Sequence, residues 1–322
     1  MVIPTRDRPR ELERALSVVR GQRDIELETV IVDDGSRVPV KLPGGEDSTT
    51  RVIRLERSLG VAAARNRGVA AARGEWIAFL DDDDIWSPER LRLLWETANA
   101  SPAEIVTSGT AKLDDRGRIL SVRSLPEPAN IRRALRSINV LGGPSAVMLR
   151  RQLIDRVGGF DESLSVLADW ELWLRVTDQA SLAVCPEVLT GYVVHRGGMH
   201  VTRTDEAMAE FAELGRRYGT ARRPGDWGMS DDVFTRWAAS AYRAGGHPVH
   251  AASLFWRNWR RYRYRPDLLQ ALASLFAPAA RLLDASARAQ MAAPDWVGLY
   301  QDRPGAELRP MREAAAHRAS GT

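Results

Sequence analysis

The sequence predicts an α/β protein: a mostly parallel sheet flanked by helices, followed by a C-terminal α-helical domain. Three observations predict it. Short apolar runs alternate with helix-period segments through the first third of the chain. Three of those runs end in polar clusters, Thr5-Arg6-Asp7, Asp33-Asp34-Gly35-Ser36 and Asp81 to Asp84. From about Asp205 onward the apolar spacing is helical throughout. Sheets of this type bind ligands outside the carboxyl ends of their strands, so the clusters predict a site along one edge.

Taken in order, Met1–Pro4 is a short apolar strand. Arg10–Gly21 carries Leu12, Ala15, Leu16 and Val19 at helical spacing, with Gly21 as the stop. Leu27–Asp33 is a buried strand ending in acids, and Arg51–Leu55 is another. Val61–Ala72 is an alanine-rich helix closed by Gly74, and Trp76–Leu80 is a continuous apolar strand. Pro88 suits the first turn of a helix running to about Ala100, and Glu104–Gly109 is a strand. The pattern then changes. Lys112–Val122 predicts a hairpin with Asp114-Asp115-Arg116-Gly117 as its turn. Ser145–Arg150 is strand-like, Gly158 to Asp161 a turn and Trp170–Val176 a helix. Strands are expected near Ser181–Val184 and Val188–His195. Helices over Val233–Gly245 and Val249–Tyr262 resemble one helical hairpin, without the fixed period of a solenoid. The predicted division is residues 1–204, 205–310 and a disordered tail at 311–322.

Hydrophobic content of 44% and charged content of 27% are those of an ordinary globular protein. The net charge is +4, and only Lys41 and Lys112 are lysines. Such arginine dominance follows either from codon bias or from an anionic partner. Cys185 is the only cysteine, which excludes an intramolecular disulfide and a zinc–thiolate cluster. Nothing at the start resembles a signal peptide, and no apolar run reaches the ~18 residues needed to span a bilayer. The expectation is a cytoplasmic protein, at most peripheral at the inner face of a membrane.

The acidic loop carries the chemistry. Four consecutive aspartates, Asp81 to Asp84, repel one another unless a cation lies among them. A divalent ion with oxygen ligands, Mg²⁺ or Mn²⁺, meets that need, with phosphates and water completing its shell. An isolated acidic run is more simply a solvated helix cap; its position after WIAFL, on the edge shared with Asp33-Asp34, favours the metal.

With these residues in view, the chain resembles the family 2 glycosyltransferases of the GT-A, Rossmann-like fold. The resemblance runs through Val2-Ile3-Pro4-Thr5-Arg6-Asp7-Arg8-Pro9, Thr29 to Ser36, Gly74 to Asp84, Gly158-Gly159-Phe160-Asp161-Glu162 and Ala168 to Arg175. It covers roughly residues 1–200, and the ordered set is far more specific than any single piece. It implies an inverting, metal-dependent hexosyltransferase that uses a nucleotide sugar, with a UDP- or dTDP-sugar the expected donor. The acceptor would be a hydroxyl, in a lipid-linked, polysaccharide, glycolipid or natural-product setting.

The resemblance also implies roles. Thr5 and Asp34 would face the nucleobase with Asp33 alongside; Asp81 or Asp82 would contact the ribose; Asp83, in the family's DXD element, would ligate the metal. Arg65 and Asn66 match a segment lining the donor site, although a surface arginine fits Arg65 as well. Asp169 matches the catalytic base, and transfer to a hydroxyl does need a carboxylate within reach of the attacking oxygen. His195 matches a histidine near the diphosphate and metal, with His200 a nearby competitor. Two departures stand out. Ala168 replaces the glutamate usual before the base, which keeps open a non-catalytic nucleotide-sugar-binding or scaffold protein. The first strand begins at Met1, so either a longer natural start or a weaker edge is expected.

The segment Phe255 to Arg265 mixes aromatics with arginines. A helix with Phe255, Trp259 and Tyr262 on one inward face is the first reading, an interfacial helix on anionic lipid the second. Nucleic acid is not expected, since no recognised binding motif accompanies it. A dinucleotide-binding dehydrogenase is excluded by the absence of glycine in Thr5 to Pro9. A processive synthase is excluded by the lack of membrane helices and by Val233 where its Gln would stand.

Overall fold

The computed structural model describes residues 1–42, 45, 48–195, 197–221, 228–276, 294 and 296–297. The tail predicted at 311–322 lies outside the described residues.

Strand β1 (Val2–Thr5) leads into helix α1 (Pro9–Arg20), which starts on a proline and buries Leu12, Ala15, Leu16 and Val19. Strands β2 (Thr29–Asp33) and β3 (Thr50–Arg54) complete a parallel sheet of order β1-β2-β3. Side chains alternate across it. Val2, Val30 and Val32 enter one core, Ile3 and Ile31 the other. Helix α2 (Val61–Ala71) lies on the first face, and its alanines and Gly68 let it approach closely. A Cβ on Gly68 would collide with Val2. Strand β4 (Trp76–Ala78) continues to a parallel bridge between Phe79 and Val2, so β1 is flanked on both sides.

Beyond the acidic loop come β5 (Ile85–Trp86), α3 (Arg90–Asn99), β6 (Ile105–Asp114) and β7 (Ile119–Arg123). Pro88 precedes the cap residue Glu89 and lies just outside α3, two positions before its first residue Arg90 rather than in its first turn. Then follow α4 (Pro128–Leu135), β8 (Val147–Arg150), α5 (Arg151–Val157), α6 (Ala168–Gln179) and β9 (Leu182–Val194). The second half of the sheet is mixed, of order β4-β8-β6-β9-β5. Strand β6 runs parallel to β9 and antiparallel to β8 and β7. The expected pair of strands at 181–195 is one strand. Its register jumps from Ser108–Cys185 to Gly109–Val188, so Pro186 and Glu187 form a bulge where Gly109 offers no side chain to obstruct it.

Helices α7 (Met199–Thr202) and α8 (Thr204–Tyr218) follow. A two-residue parallel pair, β10 (Thr220–Ala221) and β11 (Met229–Ser230), interrupts the region expected to be helix alone. Helices α9 (Asp231–Ala244), α10 (Pro248–Tyr262) and α11 (Arg265–Leu275) complete the described chain apart from isolated residues. Phe211 of α8 stacks on Phe234 of α9 at 3.9 Å, which ties the helices to the main core. Phe255 is buried between α9 and α11, while Trp259 and Tyr262 are half-buried, in keeping with the inward-face reading. Among the described residues no helix is long and apolar enough to cross a membrane.

Candidate active site

The strand ends converge as their polarity suggests. Parallel pairing sets Thr5 of β1 opposite Asp33 of β2, and the bridge from Val2 to Phe79 brings the acidic loop beside them. Thr5 donates its hydroxyl to Asp82 Oδ2 at 2.7 Å. Asp81 is held from two sides: its N–H donates to Ser145 Oγ at 3.0 Å, and Arg65 Nη2 donates to its Oδ1 at 2.6 Å. Arg65 is only 4% exposed, which removes the surface-arginine reading.

Asp82 and Asp83 share one cation. Arg8 Nη1 lies 3.0 Å from Asp82 Oδ1 and 2.9 Å from Asp83 Oδ2. His195 Nε2 lies 2.9 Å from the same Asp83 oxygen, and Arg14 donates to the Asp83 carbonyl at 3.0 Å. Burial, with the charge of Asp83 beside it, pushes the Asp82 carboxyl up to about 7. Burial acts on Asp83 in the same direction but is outweighed by the His195 hydrogen bond and the Arg8 charge, which hold it below its ordinary value. Asp84 turns inward, where its Oδ1 accepts from Val193 N at 3.1 Å, and burial raises it well above the carboxylate range. That bond ties the loop to β9.

Asp169 stands in the first turn of α6, near enough to Arg65 and to Asp81 of the loop for their charges to act on it. Burial pushes it up to about 7, against the lowering effect of the Arg65 charge and of a 2.6 Å bond from Trp170 N to its Oδ1; the Asp81 charge raises it further. Asn139 Nδ2 lies 3.4 Å from Oδ2. Ala168 is packed into the main core, where an unpaired carboxylate would be costly. Glu171 faces away, bound to Arg175 Nε at 2.8 Å and to the Tyr218 hydroxyl at 2.8 Å.

The other expected site residues are engaged by the chain itself. Asp33 is fully buried and accepts from Ser36 N at 2.8 Å, Val40 N at 3.1 Å and Arg54 Nη1 at 2.6 Å. Asp34 accepts from Leu59 N and Ser58 Oγ, each at 2.7 Å, and from Gly60 N at 3.2 Å, fixing the approach to α2. Asn66 accepts from Phe160 N at 2.8 Å and donates to Phe160 O and Glu162 Oε1, both at 2.9 Å. It ties α2 to the Gly158–Gly159 turn, where Gly159 has φ +74°.

Sequence reasoning left several neighbours unassigned. Arg8 was legible only as part of a motif. Tyr192, whose hydroxyl is 2.9 Å from His200 Nδ1, carries no signal beyond a strand tyrosine. Arg123 donates to Asn139 O at 3.1 Å, beside the residue that contacts Asp169.

A divalent ion can be tested against this arrangement. Carboxylate oxygens of Asp82 and Asp83 already surround a cationic nitrogen, and the His195 imidazole reaches the same Asp83 oxygen. The donor set suits a hard or borderline ion. Among the described residues no group of three or more His, Cys, Asp or Glu is arranged to hold a metal by itself. Substrate and water would have to complete the shell.

The sequence pattern of the family described as glycosyl transferase family 2 matches residues 1–158. An uncharacterized glycosyltransferase, YwdF of Bacillus subtilis, is 35% identical over 186 residues, covering 54% of this chain and 66% of that protein. The succinoglycan biosynthesis protein ExoO of Rhizobium meliloti is 32% identical over 200 residues, 56% of each chain. In both cases the match spans less than two thirds of the relative's own length. The crystal structure of Staphylococcus aureus TarS 1-349 in complex with UDP-GlcNAc superposes with a TM-score of 0.49 at 16% identity, covering 91% of this chain and 92% of that one.

Proposed function

We propose that the chain, whose residues 1–158 match glycosyl transferase family 2, acts as a member of that family and moves a sugar from a nucleoside-diphosphate sugar to an acceptor hydroxyl with inversion. The observation that supports this most is the pairing of a buried carboxyl, Asp169, with the acidic loop through Arg65, which bonds Asp81 and whose charge acts on Asp169. A carboxyl pushed up to about 7 is matched to general-base work near neutral pH.

In this reading Asp169 accepts the proton of the acceptor hydroxyl as its oxygen attacks the anomeric carbon. The bond to the diphosphate breaks on the opposite face, so one displacement inverts the centre. Arg65 and Arg8, already beside the acids, face the charge that develops on the leaving group. Asp83 and His195 would hold Mg²⁺ or Mn²⁺, which when bound supplies charge neutralisation at the departing diphosphate. Thr5, Asp81 and Asp82 contact the nucleoside of a UDP- or dTDP-sugar. Asp33, Asp34 and Asn66 act through the loops and turn they hold. The acceptor belongs to polysaccharide, glycolipid or natural-product glycosylation, the first in line with the name of ExoO. A lipid-linked acceptor would place the protein at the inner face of a membrane.

A second reading, nucleotide-sugar binding without transfer, draws on Ala168. Release of nucleoside diphosphate from a panel of donors, with and without Mn²⁺, separates the two. Turnover that disappears in Asp169→Asn supports transfer; binding with no turnover in the parent supports the second reading.

A further inference from the structure

The acidic loop is neutralised by a part of the fold that a divalent ion would have to displace. Arg8 is the residue immediately before α1, and Pro9 fixes the chain direction there. Its guanidinium reaches across to the loop, where a single nitrogen bridges Asp82 Oδ1 at 3.0 Å and Asp83 Oδ2 at 2.9 Å. The second nitrogen lies 3.5 Å from the Gly197 carbonyl, next to the His195 segment. Arg8 therefore touches both elements that would supply metal ligands. A divalent ion on Asp83 Oδ2, at roughly 2.0–2.1 Å, would stand close against the guanidinium nitrogen already 2.9 Å from that oxygen, where two cations repel strongly.

We infer that Arg8 is a resident counter-cation that stands at the metal position beside Asp83 and His195 and competes with the ion for the Asp83 carboxylate. This inference rests on the metal site proposed above. With no ion bound, Arg8 keeps neighbouring carboxylates from repelling one another and holds the loop in shape. An ion that takes the Asp83 oxygen releases the guanidinium at the mouth of the site, where the donor diphosphate is the anion left for it to pair with. Metal and donor then bind cooperatively, because the donor compensates Arg8 for the carboxylate it loses. Metal alone binds weakly, its affinity reduced by the fraction of molecules in which Arg8 has moved away.

The test is a Mn²⁺ titration of the full chain without donor, followed by electron paramagnetic resonance, together with metal-free melting temperatures. Arg8→Gln removes the competing charge, and Arg8→Met, which keeps the aliphatic stem, serves if the first variant does not fold. The expected result is Mn²⁺ binding about tenfold tighter than in the parent, if Arg8 occupies the loop in roughly nine molecules of ten. The metal-free melting temperature should fall and be restored by Mn²⁺. Equal or weaker Mn²⁺ affinity in the variant, with binding by the parent intact, overturns the competition and leaves the metal site standing. Absence of Mn²⁺ binding in both overturns the metal site and this inference with it.

Discussion

Arg65, on α2, sets its Nη2 2.6 Å from Asp81 Oδ1 while its charge acts on Asp169 at the start of α6. One buried guanidinium thus links the loop expected to hold the donor to the carboxyl expected to take the acceptor's proton. Arg65→Met should remove that link. Leaving Asp81 without its partner is expected to cost about 1–3 kcal/mol of stability, measured by urea denaturation, and to weaken donor binding. The Asp169 carboxyl should titrate higher still, because the charge that lowers it has gone.

Asp169→Asn keeps the shape and removes the basicity. Transfer should fall by about 10²–10⁴-fold, with donor affinity from isothermal titration changed by less than about threefold, since only the base has been lost. A parallel loss of donor binding would place Asp169 in the donor pocket instead.

The pH dependence follows from the same carboxyl. Asp169 is pushed up to about 7 by burial, and only its ionised form accepts a proton. The rate should therefore rise about tenfold per pH unit below about 7 and level off above it. The stability sign is opposite. A folded-state value above the unfolded one favours the folded protein at low pH, and this contribution is lost as pH rises through about 7. Asp169→Asn should accordingly melt higher than the parent at pH 8, in metal-free buffer, by a margin that narrows as pH falls from about 7 towards the ordinary Asp value of about 4.

Asn66 offers a test of position against contact. Its side chain bonds Phe160 N, Phe160 O and Glu162 across the Gly158–Gly159 turn. Asn66→Ala should destabilise the protein by about 1–3 kcal/mol while the folded protein keeps donor affinity within about threefold. A large loss of affinity with no loss of stability would make Asn66 a direct donor contact.

The parallel half of the fold was legible because each element there has its own local signal. Apolar runs such as Val30–Val32 and Trp76–Leu80 end in acids, and α1 shows a clean 3.6 period. The second half was less legible. Helix α4 buries only Ile131 and Leu135, too little periodicity to register, and β9 looks broken at Pro186 because its bulge is read from Gly109 on the neighbouring strand. The site divides in the same way. Asp81 to Asp84 and Asp169 are visible as acids at strand or helix ends. That Asp34 holds Ser58 to Gly60, or that Arg8 bridges Asp82 and Asp83, depends on chain crossings no local pattern contains.

If the acidic loop serves a nucleotide sugar together with a divalent ion, the two should stabilise the folded chain in combination. A thermal-shift screen of nucleoside-diphosphate sugars, each with and without Mn²⁺, tests it most directly. A donor at a hundred times its Kd adds about 2.7 kcal/mol to the folded state, a clear rise in Tm. Such a rise is expected for one donor and only when Mn²⁺ is present. No response to any donor, with or without the ion, would contradict it.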